Sequence, residues 1–101
     1  MIARVWRGST PASKADEYLE YLKKTGVRDC KDTPGNLGVY LMRRITDSHA
    51  EFLFMSLWNT LDSIREFAGP NPEQAVYYPE DAEYLLEMTP EVEHFEVMVV
   101  P

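Results

Sequence analysis

Cysteine is almost missing from these 101 residues: Cys30 stands alone. One thiol closes no internal disulfide, so nothing points to an oxidising compartment. Histidine is nearly as scarce. His49 and His94 lie far apart, and neither sits in a Cys-x-x-Cys or His-x-x-x-His setting, so no metal is expected. Positive charge is the minority sign, with 10 Lys and Arg against 17 Asp and Glu for a net charge of -7. The pairs Lys23-Lys24 and Arg43-Arg44 are too small to form a binding stripe. Nucleic acid and anionic membranes need clustered cations, so neither is an expected partner. No apolar run approaches the roughly 20 residues of a membrane span. There is no Gly-rich phosphate loop or Rossmann fingerprint, and hence no expected cofactor. Repeats, linkers and low-complexity tracts are absent too. The opening MIARVWRG alternates like a strand and lacks the apolar centre of a secretion signal, which places the expected location in the cytoplasm.

What is present is a core. About 45% of the residues are apolar, enough for one domain spanning residues 1–101. MIARVWRG reads as a first strand, with Ile2, Arg4 and Trp6 on one face and Ala3, Val5 and Arg7 on the other. STPASKADEYLEYLKKTG reads as a helix capped by Thr10, with Pro11 in its first turn and Gly26 at its stop. Ala15, Tyr18, Leu19 and Leu22 share its apolar face. VRDCKDTPG is polar, contains Pro34-Gly35, and reads as a loop. NLGVYLMRRI and EFLFMSLW form a strand hairpin across the turn TDSH. NTLDSIREFAG is a helix capped by Asn59 or Thr60, burying Leu61, Ile64 and Phe67. A short helix follows Pro79, and EVEHFEVMVV closes as a strand. The order β-α-β-β-α-β is the split βαβ arrangement: an α+β, ferredoxin-like domain with an antiparallel four-stranded sheet and two main helices on one face.

Both faces of the third strand are apolar. Phe52, Phe54 and Trp58 point one way, and Leu53, Met55 and Leu57 the other. The final strand behaves similarly. Two helices cover one face only, and a large exposed apolar face is unusual on a soluble monomer. A second copy of the chain is the economical cover, so a homodimer joined sheet to sheet is expected.

The run FLFMSLWNTLDSIREFAG, followed by PEQAVYYPED and VEHFEVMVV and preceded by MIARVWRG, resembles the antibiotic biosynthesis monooxygenase-like domain of the dimeric α/β-barrel superfamily. The resemblance covers nearly the whole chain and rests mostly on core positions. It implies a ferredoxin-like domain whose sheets close a barrel across a dimer. Some members are cofactor-independent monooxygenases of phenolic polycyclic compounds, others act on quinols, and others degrade haem. Trp58 matches a tryptophan that ends the third strand and lines the pocket of active members. The haem-degrading branch adds an asparagine on the first strand and a histidine on the second helix. This chain has neither, so the resemblance points away from haem and toward a small aromatic or quinol-type substrate.

Cofactor-free oxygenation needs an apolar cavity, a base for the phenol proton, and donors for the developing anion. Each candidate has a functional and a structural reading. Trp58 stacks on a flat ligand or fills the core. Trp6 is counted with the substrate-binding candidates. Arg4, on the same face as Trp6, holds an anionic substrate or, more simply, pairs with one of the many carboxylates. His94 has the ordinary pKa of a base near neutrality or is an edge histidine, with Glu96 on the same face to orient it. Tyr40 donates to an oxygen intermediate or packs on its strand. His49 sits in a polar turn. Tyr77 and Tyr78 interrupt a connection flanked by Pro72 and Pro79, which walls a cavity or closes the core. The expected pocket lies between helices and sheet, bounded by Trp58 and one of these tyrosines, with Arg4 or His94 in reach. A Trp58 packed on all sides counts for a non-catalytic binding or structural module.

Overall fold

The computed structural model describes all residues, 1–101. Strand β1 (Ile2–Pro11) leads through a 3-10 turn (Ala12–Lys14) into α1 (Ala15–Lys24) and α2 (Gly26–Asp32). Then come β2 (Asn36–Ile45), β3 (His49–Trp58), α3 (Leu61–Ala68), the single turn α4 (Asp81–Tyr84) and β4 (Glu93–Glu96). The sheet order is β2-β3-β1-β4 with every neighbouring pair antiparallel, which is the ferredoxin-like α+β layout. No helix is long and apolar enough to cross a membrane.

Strand register decides what each face carries. On the helix-covered face, one cross-strand row is Val39, Ser56, Arg4 and His94, and the next is Leu41, Phe54 and Trp6. Phe52, Phe54, Ser56 and Trp58 alternate inward from β3 and are buried, against Tyr18 and Leu22 of α1 and Ile64 of α3. The opposite face carries Tyr40, Met42, Leu53, Met55, Leu57 and Phe95 with no helix over it. Tyr40 is 54% exposed there and Phe95 51%. The two-faced pattern of β3 thus appears as expected, with one face covered and one bare.

Several boundaries differ from the sequence expectation. β1 runs on through Thr10 and Pro11, which pair with Ala50 and His49, so Thr10 is a buried strand residue and not a helix cap. The stretch expected as the loop VRDCKDTPG is mostly α2: Gly26 and Cys30, four apart, form its buried stripe, and Arg28, Lys31 and Asp32 face outward. Helix α3 is capped as expected, with the Thr60 hydroxyl accepting from Ser63 N at 3.1 Å. The last strand is short. Glu96 pairs with Ile2, Val97 N donates to Met1 O, and Met98 to Val100 extend beyond the sheet with exposed side chains. Apolar alternation there has no ladder to join.

Gly8 is required by close approach. A Cβ at this position would lie 2.3 Å from the Trp6 ring, so the absent side chain is what lets that indole lie flat along β1.

Candidate functional site

The segment from Pro70 to Asp81 folds back over the covered face. Gln74 forms a bridge with Glu91, Ala75 N donates to Pro90 O, and Val92 N donates to Glu73 O. The stretch Val76–Tyr78 then crosses the gap between the helices and the sheet. Beneath it lies a partly open cavity of about 40 Å³, whose walls include Arg4, Trp6, Cys30, Phe67, Tyr77 and Tyr78. A larger cleft of about 640 Å³ lies at the β2–β3 hairpin end, among Arg7, Arg44, His49 and Glu87. It is a surface groove open to solvent. Its three arginines are all ion-paired, Arg7 with Glu93, Arg43 with Asp16 and Arg44 with Glu51, so the chemistry points to the smaller space.

Arg4 is the centre of that space. It is 5% exposed, yet it takes part in none of the ion pairs of the chain. Its Nη2 donates to Gln74 O at 2.7 Å, and its guanidinium sits 5.5 Å above the Phe67 ring. Its Nε is buried with no partner. The simpler expectation, a carboxylate partner, does not hold: β1 is central, and the acidic side chains lie outside the covered layer or are engaged elsewhere. Burial pulls the Arg4 pKa down from its ordinary value. An arginine nevertheless stays protonated in proteins.

Two neighbours share the Arg4 row. Burial pushes the Cys30 thiol up to about 12, with Arg4 and Ser56 pulling the other way, so at neutral pH it is a neutral thiol and a poor nucleophile. His94, opposite Arg4 on β4, has a buried Nε2 without a partner. Burial first and the Arg4 charge second lower its pKa, and Glu73 opposes them, so the imidazole is neutral at pH 7. No hydrogen bond joins Glu96 to His94, so the expected orienting contact is absent.

The two tyrosines have their hydroxyls engaged. Tyr77 Oη accepts from Trp6 Nε1 at 3.2 Å and donates to Thr89 O at 2.6 Å, with its ring edge-on to Trp6. Tyr78 Oη donates to Asp29 Oδ2 at 2.6 Å, while Tyr78 N donates to Asp81 Oδ2. The other Asp81 oxygen accepts from Tyr18 Oη at 2.8 Å. Burial, then the adjoining carboxylates, raise the pKa of both Tyr18 and Tyr78. The lid-like stretch is thus tied to β1, α1 and α2 by side-chain hydrogen bonds.

Of the candidates read from the sequence, Arg4, Trp6, Tyr77 and Tyr78 meet at one cavity. Trp58 does not line it. Its side chain is fully buried, stacks on Phe67 at 5.9 Å, and donates from Nε1 to Ser56 Oγ at 2.8 Å. It backs the ring that carries Arg4 and does not itself form a wall. His94 stands beside Arg4 without reaching the cavity lining. Tyr40 is on the bare face, and His49 is at the hairpin end with Ser48 Oγ 3.1 Å from its Nδ1. Cys30, Tyr18 and Asp81 were not among the candidates. The i, i+4 spacing of Gly26 and Cys30, stopped by Pro34-Gly35, was the available sign of α2.

No family model and no curated protein matches this chain. Among solved structures it is similar to a crystal structure of an arginine-to-serine mutant of MhuD with two manganese protoporphyrin IX bound per active site. The two chains share 16% identity and superpose at a TM-score of 0.62, over 100% of this chain and 98% of that one. The likeness extends over the whole domain and concerns the fold.

Proposed function

We propose that this chain is a small-ligand-binding domain that receives an aromatic compound in the Arg4–Tyr78 cavity, and that cofactor-independent monooxygenation of a phenol or quinol is its reaction. The observation that carries this reading is a largely apolar cavity with one buried cation that no carboxylate neutralises. Small-molecule sites have that composition: apolar walls and a few polar groups that orient the ligand. In the proposed reaction the electron-rich ring itself reduces dioxygen. One oxygen atom enters the ring carbon and the other leaves as water. Arg4 stabilises the phenolate and so favours loss of the phenol proton to solvent, while His94, next in the row, lies behind the cavity lining and acts on the substrate only through Arg4. Oxygen uptake with a panel of hydroxylated polyaromatics and quinols tests the reaction. No uptake with any of them would sink it.

A second reading is a non-catalytic binding or structural module, and Trp58 favours it. Its indole is enclosed in the core, and both lid tyrosines spend their hydroxyls on the protein. Mass spectrometry of the purified protein for a retained aromatic ligand, read beside oxygen uptake, separates binding from turnover. Haem degradation is the third reading, prompted by the porphyrin in the similar structure. The residues do not fit it. No histidine lines the cavity, and the Cys30 thiol stays protonated, so no side chain there is suited to ligate the iron.

The same proposal includes a homodimer through the bare sheet face and a cytoplasmic location. Light scattering at micromolar concentration is expected to give near twice 11.7 kDa.

A further inference from the structure

We propose that the cavity selects its ligand as an oxyanion: an aromatic carboxylate or phenolate whose charged oxygens dock on the free edge of Arg4. This rests on the aromatic-ligand reading above and adds the ligand's charge and the residue that reads it.

The donor count points there. A guanidinium has five N–H groups in a fixed fork. In Arg4 the one hydrogen bond formed goes to Gln74 O, and Nε is buried with nothing to donate to. Folding a cation into the covered face without a counterion is costly, and the chain had acids to spare, 17 of them. The two nearest the cavity are fully engaged. Asp81 accepts from Tyr18 Oη and Tyr78 N, and Asp29 accepts from Tyr78 Oη and pairs with Arg28. Glu73, which precedes Gln74 and whose charge reaches His94, is exposed and forms no ion pair with Arg4, and the remaining neighbours add no negative charge. Cys30 is a neutral thiol, Ser56 is a hydroxyl, and His94 is a neutral imidazole. The site is therefore complete for a cation on the protein side and one anion short.

Size sets how the ligand enters. At the 10–15 Å³ that one water needs by this measure, about 40 Å³ holds about three waters, which is the room of a carboxylate head and not of a ring. The Nε–Nη edge of an arginine matches a carboxylate with two parallel bonds and accepts a phenolate with one or two. The ring then lies along Phe67 and Phe54 and displaces the Val76–Tyr78 wall. That wall is held by hydrogen bonds from Tyr77 and Tyr78 and by no helix of its own, so it is the yielding side.

Calorimetric titration of the full chain with benzoate, with nitrobenzene as its uncharged counterpart, and with acetate as its ringless one tests the assignment. Benzoate is expected to bind at least about tenfold more tightly than either. Arg4→Met should remove that advantage, and Arg4→Lys should keep part of it. Titration with 4-nitrophenol reads the phenolate directly, because binding at Arg4 increases the phenolate absorbance at fixed pH. Equal affinity for benzoate and nitrobenzene would overturn the oxyanion assignment and leave the aromatic reading standing. Equal affinity for acetate and benzoate would overturn the aromatic part. If no aromatic binds, both fall. Should Arg4→Met not fold, the comparison of benzoate with nitrobenzene on the unaltered chain still decides.

Discussion

On one side of β3, Phe52, Phe54, Ser56 and Trp58 are buried beneath the helices. On the other, Leu53, Met55 and Leu57 stay half-exposed between Met42 of β2 and Ala3 and Val5 of β1. The covered side has buried its apolar surface but keeps two unpartnered polar atoms, Arg4 Nε and His94 Nε2. The bare side has the opposite shortage: nothing polar is trapped there, while a row of large side chains remains in water. Unpaired buried polar groups call for a small polar partner, and uncovered apolar area calls for a large apolar one. One sheet therefore asks for a ligand on one face and a protein surface on the other.

The largest effect is expected at Trp58. Trp58→Ala should lower stability by about 3–5 kcal/mol, because a fully buried indole stacked on Phe67 leaves a cavity when it is removed. Chemical denaturation measures this. A loss below about 1 kcal/mol would mean that the covered face is not closed around Trp58. Gly8→Val comes next, at about 1–3 kcal/mol, since its Cβ and methyls would strike the Trp6 ring. Near-ultraviolet circular dichroism should change with it, because Trp6 must leave its place against Tyr77.

The bare face should respond in mass more than in stability. Met42→Lys with Phe95→Lys places charge where the sheet is open, and each change should alter the stability of the single chain by about 0.5 kcal/mol or less. If a second copy covers this face, light scattering should fall from near twice 11.7 kDa to 11.7 kDa. An unchanged dimer would move the interface elsewhere and leave the exposed row unexplained.

Sequence patterning carried the skeleton of this contrast but not its details. The period of two in FLFMSLW assigns Phe52, Phe54 and Trp58 to one face correctly, and the β2 limits Asn36 and Ile45 agree with the structure. Alternation says which way Trp58 points, however, and not how deep it lies. Depth is set by α3, whose Phe67 sits between the indole and the cavity. Helix α2 was hidden because five of its seven residues are charged or glycine, so composition alone reads as loop. The last strand was overextended because EVMVV has strand chemistry, whereas a strand exists only where a neighbour supplies hydrogen bonds. Arg4 was legible as an odd residue among core positions. Its lack of a carboxylate partner depends on where Asp29 and Asp81 land, and strand periodicity holds no information on that.

The smallest effect belongs to His94. Its pKa is lowered in the folded chain, by burial first and by Arg4 second, from an ordinary value of 6.5. The unfolded chain therefore takes up the proton more readily, and stability rises with pH wherever the unfolded state binds more protons. The contribution of this residue is fully present above about pH 6.5 and is lost as pH falls from there through the folded value. Replacing it with Asn should flatten that part of the stability–pH curve and leave the curve above pH 7 with its shape unchanged. Arg4→Met bears on the same point from the other side: without the cation, the His94 pKa should move back toward its ordinary value, and proton NMR of the imidazole follows it directly. If burial alone sets the shift, Arg4→Met will leave the titration where it was, and the coupling between the two orphaned groups of the covered face does not exist.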